Sequence, residues 1–144
     1  SLEIIMPQAR EKNIAIEKRY SEQEIAVECD QALMKIVMVN LLGNAVKYGD
    51  AGGVVRLTVS AGNGTLSVAV WNRGPGFAPE ERHRLFKKFS RLGSPELASR
   101  KGSGIGLYTT WKIIQVHGGK IWADSKKGEW AEFSFTLPLA LATR

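Results

Sequence analysis

Cysteine is nearly absent from this chain: Cys29 is the only one in 144 residues. An internal disulfide is therefore impossible, and too few thiolates remain for a structural zinc site. Long apolar runs are missing as well, since none approaches the roughly 20 residues needed to cross a bilayer. Ser1–Arg10 lacks a basic start followed by an apolar block, so no secretory leader is legible. The formal charge of +6 comes without a recognition helix, a zinc finger or an aromatic RNA-stacking signature, which argues against nucleic acid as the partner. A reducing, cytoplasmic compartment is the expectation, with any membrane anchor of a parent protein lying outside these residues. Cys29 itself is expected to be a small residue at a strand end.

What is present fits one soluble domain over residues 1–144. The 44% apolar content is ordinary, and Leu, Ile and Val are spread along the whole length. Basic residues are interspersed with acidic ones, with short clusters such as Lys87-Lys88, Arg100-Lys101 and Lys126-Lys127. Such a balance suits any polyanion, and a nucleoside triphosphate is one.

The chain divides into recognisable elements. Ile4–Lys12 predicts a short helix weakened by Pro7, in the position of a linker (residues 1–12). Ile14, Ile16 and Lys18 alternate with Ala15, Glu17 and Arg19, which predicts a strand ending at Tyr20, with Ile25–Cys29 as its candidate partner. Asp30 is a good N-cap for a long helix reaching Tyr48, with Leu33, Val37 and Leu41 on one stripe. Val54–Ser60 and Leu66–Trp71 are β-rich runs joined across Asn63-Gly64, a strong hairpin signal. Pro79 with Glu80-Glu81 suits the first turn of a short helix to Phe86. Leu92–Gly104 is polar and glycine-rich, a loop. Ile105–Val116 is helical and closes at His117-Gly118-Gly119. Lys120–Asp124 and Glu132–Leu137 are the last strands. This order predicts an α+β fold, a two-layer α/β sandwich with one mixed, mostly antiparallel sheet and about three helices on one face.

Three segments carry chemistry. In the long helix, Asn40, Asn44, Lys47 and Tyr48 are spaced by four, three and one, which places them on one ridge. Asparagine is a poor helix former because its side chain competes for backbone hydrogen bonds, so two of them there need a reason. A carboxamide oxygen is a hard ligand for Mg²⁺, and Lys47 offers a point charge for phosphate. The alternative is a solvated polar stripe, or Asn44 making a core hydrogen bond. Next, Trp71-Asn72-Arg73-Gly74-Pro75-Gly76-Phe77 ends a strand with a polar residue and two close glycines, letting backbone approach a flat ligand; a plain turn explains it equally. Third, Gly102-Ser103-Gly104-Ile105-Gly106-Leu107 opens a helix with backbone N–H groups suited to an anion, or forms a flexible hinge. It is neither a dinucleotide fingerprint nor a Walker loop, and no protein-kinase motif is present.

Taken together and in order, these segments resemble the N, G1 and G2 boxes of sensor histidine kinases, within the ATP-binding Bergerat fold shared with type II topoisomerases, mismatch-repair ATPases and heat-shock chaperones. Leu85-Phe86-Lys87-Lys88-Phe89-Ser90-Arg91-Leu92 is similar to the F box, and His117-Gly118-Gly119-Lys120-Ile121-Trp122 matches the run after the last helix. The resemblance implies ATP and Mg²⁺ as cofactors. It places Asn44 on the metal, Asn40 and Lys47 on the phosphates, and Tyr48 near the nucleotide. Asn72 would face adenine, with Gly74 and Gly76 making room for the base. Arg91 would reach the γ-phosphate, with Asn40, Lys47 and Arg91 as the catalytic set. Gly102, Gly104, Gly106 and Leu107 would wrap the phosphates beneath a lid at residues 93–101, anchored by Phe86 and Phe89 unless these are core aromatics. A helical dimerisation domain carrying the phosphorylated histidine, absent from this chain, and a downstream response regulator are the implied partners.

The pattern is broken in places. The family usually has Asp where Asn72 stands, which would remove the charge-assisted part of an adenine contact. Trp130 occupies a position usually given to glycine, and packing is its expected role. ATPases of this fold carry glutamate at the place of Asn40, and an amide cannot act as a general base. Slow hydrolysis, with transfer awaiting an external acceptor, is the expectation. His83 lies in a polar stretch and His117 at a helix end where a cation is favoured, and neither is followed by an acidic residue as an acceptor would be. The rival expectations are a degenerate kinase domain acting as a nucleotide-sensing or regulatory module, and an ATPase.

Overall fold

A computed structural model of the protein describes residues 2–20, 29–87 and 106–139. The expected strand at Ile25–Cys29 lies outside these apart from Cys29, as do Phe89, Arg91, the lid at 93–101, Gly102 and Gly104.

Helix α1 spans Leu2–Glu11 and runs through Pro7. Proline there removes one helical hydrogen bond, yet Ile5 and Ala9 are fully buried against the core, and that burial holds the helix. Through these residues α1 packs on the sandwich core. Strand β1 (Ala15–Tyr20) follows. Helix α2 (Gln31–Tyr48) starts where expected, Asp30 Oδ1 accepting from the Leu33 amide at 3.0 Å. Strands β2 (Val54–Gly62) and β3 (Thr65–Arg73) extend beyond the expected runs to the turn. Asn63 and Gly64 both have positive φ, 53° and 73°, the conformation a two-residue hairpin needs to match strand twist. Pro79–Arg84 is a 3-10 rather than an α-helical segment. In its first turn the Glu81 carboxylate accepts from the Ala78 amide at 3.1 Å. Helix α3 (Gly106–Val116) and strands β4 (Lys120–Lys126) and β5 (Trp130–Pro138) complete the described elements.

The strand order is β1-β2-β3-β5-β4. β1 runs parallel to β2, and the other pairs are antiparallel. A parallel pair needs a crossover, and α2 supplies it. One face of the sheet (Val55, Leu57, Val68, Val70, Phe135, Leu137) shares a core with Ile5 and Ala9 of α1, Val37, Leu41, Leu42 and Val46 of α2, and Ile113 and Ile114 of α3. The helices thus lie on one side, the expected two layers. The other face carries the cross-strand row Asp124, Glu132, Trp71, Arg56 and Glu17. There the Arg56 guanidinium lies 4.9 Å from the Trp71 ring centre and pairs with Glu17 at 3.2 Å.

Candidate functional site

Helix α2 buries Val37, Leu41, Leu42, Ala45 and Val46, whereas Asn40, Asn44, Lys47 and Tyr48 remain half-buried. The sequence ridge therefore lies at the border of the core, where polar groups keep access to solvent. Its C-terminal end is held by a residue that sequence reasoning missed. Lys12 Nζ donates to the carbonyls of Val46, Lys47 and Gly49 at 2.8, 3.1 and 2.8 Å. A cation on the last carbonyls of a helix satisfies orphan acceptors and opposes the helix dipole. These contacts span 34 to 37 residues, so no local signal marks them.

Asn40 joins α2 to the first turn of α3. Its Nδ2 donates to the Gly106 carbonyl and to Thr110 Oγ1, both at 3.2 Å. Thr110 is fully buried, and its hydroxyl donates back to the Gly106 carbonyl at 2.8 Å. The two amide hydrogens of Asn40 are thereby used, and its Oδ1 lone pairs are what it has left to offer. A carboxamide oxygen fits a hard cation, and Asn44 places a second carboxamide one turn along the same helix.

The loop after β3 docks on both of its neighbours. Asn72 is 3% exposed and its Nδ2 donates to the Arg73 carbonyl at 3.3 Å. A Cβ on Gly74 would come within 2.6 Å of the Tyr48 carbonyl, and one on Gly76 would strike Ser125 Oγ and the Trp130 carbonyl. At both positions a side chain would collide with neighbouring segments, so close packing of the chain is a reason for glycine there. The Asp50 amide donates to the Arg73 carbonyl at 2.9 Å, tying the end of α2 to this loop. On the far side, Ser125 Oγ accepts from the Phe77 amide and donates to the Trp130 carbonyl, both at 2.9 Å. Trp130 begins β5 opposite Arg73 and is half-buried, in keeping with packing.

Beneath this loop lies a second small core of Phe77, Leu85, Ala123 and Ala131, packed by Phe86, Phe133 and Leu107. Phe86 meets Phe133 edge-on at 6.1 Å, so it is a core aromatic. Leu107 packs against both clusters. Its side chain therefore belongs to the interior. His117 Nδ1 donates to the Ile113 carbonyl at 2.8 Å and its Nε2 accepts from the Asp30 amide at 3.1 Å, so the ring clasps the start of α2 to the end of α3. The structure therefore brings Asn40, Asn44, Lys47, Tyr48, Asn72, Gly74 and Gly106 to one side of the sandwich, and among the described residues no His, Cys, Asp or Glu cluster competes as a metal site.

Residues 29–141 match the family described as histidine kinase-, DNA gyrase B- and HSP90-like ATPases. The chain belongs to that family. Its relatives include the adaptive-response sensory kinase SasA of Parasynechococcus marenigrum (strain WH8102), 38% identical over 130 residues that make up 89% of this chain and 33% of SasA. The chain spans about a third of the length of such curated relatives. Among solved structures, full-length ShkA in complex with AMPPNP has a TM-score of 0.83 at 33% identity, covering 99% of this chain and 29% of ShkA. Histidine kinase ThkA in complex with the response regulator TrrA has a TM-score of 0.77 at 27% identity, covering 98% and 39%. Membership accounts for the two-layer sandwich and for the arrangement of an asparagine-bearing helix beside two glycine-bearing segments. No described helix is long and apolar enough to cross a membrane.

Proposed function

We propose that this domain binds Mg²⁺·ATP and delivers the γ-phosphoryl group to a histidine on a separate helical domain, from which a response regulator takes it. The observation that carries this is the joint between helices: Asn40 is bonded to Gly106 and Thr110, so the amide ridge of α2 and the glycine entrance of α3 face one space. The similarity to histidine kinases solved with AMPPNP and with a response regulator supports the same assignment.

In this reading Asn44, with the oxygen of Asn40, holds Mg²⁺, which when bound neutralises the triphosphate and favours attack at the terminal phosphorus. Lys47 approaches the phosphates as a point charge, and Tyr48 packs near the nucleotide. Asn72 faces the base, which rests on the rigid loop at Gly74 and Gly76. Arg91 reaches the γ-phosphate, and the backbone of Gly102, Gly104 and Gly106 donates to phosphate oxygens beneath the lid at 93–101, with Phe89 at its root. Catalysis is mainly alignment and charge neutralisation. Asn40 cannot take a proton from water, so the isolated domain hydrolyses ATP slowly.

The decisive experiment incubates the chain with labelled ATP, Mg²⁺ and a matching helical domain bearing the acceptor histidine. Acid-labile label on that domain is expected, and no transfer despite nucleotide binding would refute the kinase assignment. Asn72 gives a second reading some weight, since a carboxamide is a weaker acceptor than a carboxylate: a regulatory module that has lost catalysis. Absence of any fluorescent-ATP binding at millimolar nucleotide, with or without Mg²⁺, would favour it.

A further inference from the structure

We propose that Thr110 is a positioning residue that dictates the polarity of the Asn40 carboxamide and, through it, the metal dependence of nucleotide binding. The proposal rests on the function proposed above, but the hydrogen-bond logic stands on the structure alone. The Thr110 hydroxyl proton goes to the Gly106 carbonyl at 2.8 Å. That leaves Thr110 Oγ1 a pure acceptor toward Asn40, and the Gly106 carbonyl is a second acceptor beside it. Two acceptors 3.2 Å from the same atom allow only the amide nitrogen there. An inverted amide would set Oδ1 against the Gly106 carbonyl oxygen, and it could accept from Thr110 only if that hydroxyl gave up its own bond to Gly106.

Thr110 therefore does more than bond within its own helix, the common behaviour of a buried helical threonine. From 70 residues away it helps fix that Asn40 meets α3 through Nδ2, leaving Oδ1 to accept from elsewhere. Such an oxygen can join Asn44 on a divalent cation or accept from a water on that cation. It cannot donate to a phosphate oxygen. The residue touches neither nucleotide nor metal in this scheme, so its effect appears in the difference between metal-loaded and metal-free binding.

The test uses Thr110→Val, which keeps the shape and removes both hydrogen-bonding functions, and Thr110→Ser, which keeps them. Nucleotide affinity is measured by calorimetry with Mg²⁺ and with EDTA, and the Asn40 side-chain NH₂ resonances are followed in the nucleotide-free protein. In Thr110→Val the affinity gain from Mg²⁺ is expected to fall about tenfold, metal-free binding to change little, and the Asn40 NH₂ signals to lose their exchange protection. Thr110→Ser restores both. Should Thr110→Val fail to fold, Thr110→Ala gives the same readouts. Equal weakening with and without metal, or unaltered Asn40 signals, would overturn the proposal while leaving nucleotide binding in place. A parent protein that binds no nucleotide at all would remove the functional reading itself, and this proposal with it.

Discussion

Replacing Asn72 with Asp should move stability and ATP affinity in opposite directions. In the folded chain Asn72 is 3% exposed and donates to the Arg73 carbonyl at 3.3 Å. A carboxylate at that place brings acceptor against acceptor with almost no water to separate them, which costs about 1–3 kcal/mol. For a chain of this size each kcal/mol lowers Tm by roughly 3–4 °C, so the nucleotide-free Asn72→Asp protein should melt about 3–12 °C below the parent. With ATP bound, the same carboxylate accepts from the adenine amino group more strongly than a carboxamide oxygen does. The gain is on the order of 1 kcal/mol, or about five- to tenfold in Kd. Because a ligand stabilises by RT ln(1 + [L]/Kd), the ATP-induced rise in Tm should be larger in the variant than in the parent. Thermal melts with and without Mg²⁺·ATP, paired with titration calorimetry, read both effects, and Asn72→Ala should bind worse than either. Identical melting curves and identical Kd values for all three proteins would show that this side chain neither packs against Arg73 nor reads the base.

Two further outcomes follow from contacts away from the base. Lys12→Met keeps much of the side-chain length but removes the cation from the Val46, Lys47 and Gly49 carbonyls. It should cost about 1–2 kcal/mol in urea unfolding and hasten amide exchange in the last turn of α2; unchanged exchange there would refute the capping role. At Glu132, burial first and the Asp124 charge second raise the pKa above its ordinary 4.5, with Arg56 opposing. A raised carboxylate pKa means that the folded chain binds the proton more tightly. Its stabilising effect is therefore full below pH 4.5 and is lost as pH rises through the folded value. Glu132→Gln should then be more stable than the parent at pH 7 by a few tenths of a kcal/mol, small because the group is only half-buried. Denaturant titrations should show this advantage closing at acid pH, and a deficit at pH 7 would reverse the assigned sign.

Legibility in the sequence followed the range of the interaction. The Asp30 cap and the Asn63-Gly64 turn are local signals whose partners lie within a few residues, and both appear where the pattern put them. The order of elements was enough for the two-layer architecture. Long-range contacts left no trace. Lys12 has the look of any solvated lysine, and Thr110 of an ordinary helical residue, until folding brings each to its partner. Pro7 did not stop the expected helix, since the burial of Ile5 and Ala9 outweighs one lost hydrogen bond. For Gly74 and Gly76 the sequence offered a close backbone approach or a plain turn but could not name the neighbouring atoms. The crowding atoms belong to Tyr48, Ser125 and Trp130, distant in the chain.

These contacts divide the candidate site into two walls of unequal stiffness. The wall proposed for the base is tied largely through main chain: Asp50 amide to Arg73 carbonyl at 2.9 Å, Gly74 amide to Glu129 carbonyl at 3.1 Å and Gly128 amide to Pro75 carbonyl at 2.6 Å. No side-chain substitution removes those donors and acceptors, and the close approach of Gly74 to Tyr48 leaves no room for the loop to slide. Toward the proposed phosphates, Asn40 ties α2 to the start of α3 by two side-chain hydrogen bonds, each worth about 1 kcal/mol net, while Val37 and Leu41 share the core with Ile113 and Ile114. Unlike the main-chain ties of the other wall, those two bonds can be removed by substituting a single side chain. In the proposed kinase reading this is the side that admits a histidine, so Asn40 is where a substitution would loosen it without disturbing the wall for the base.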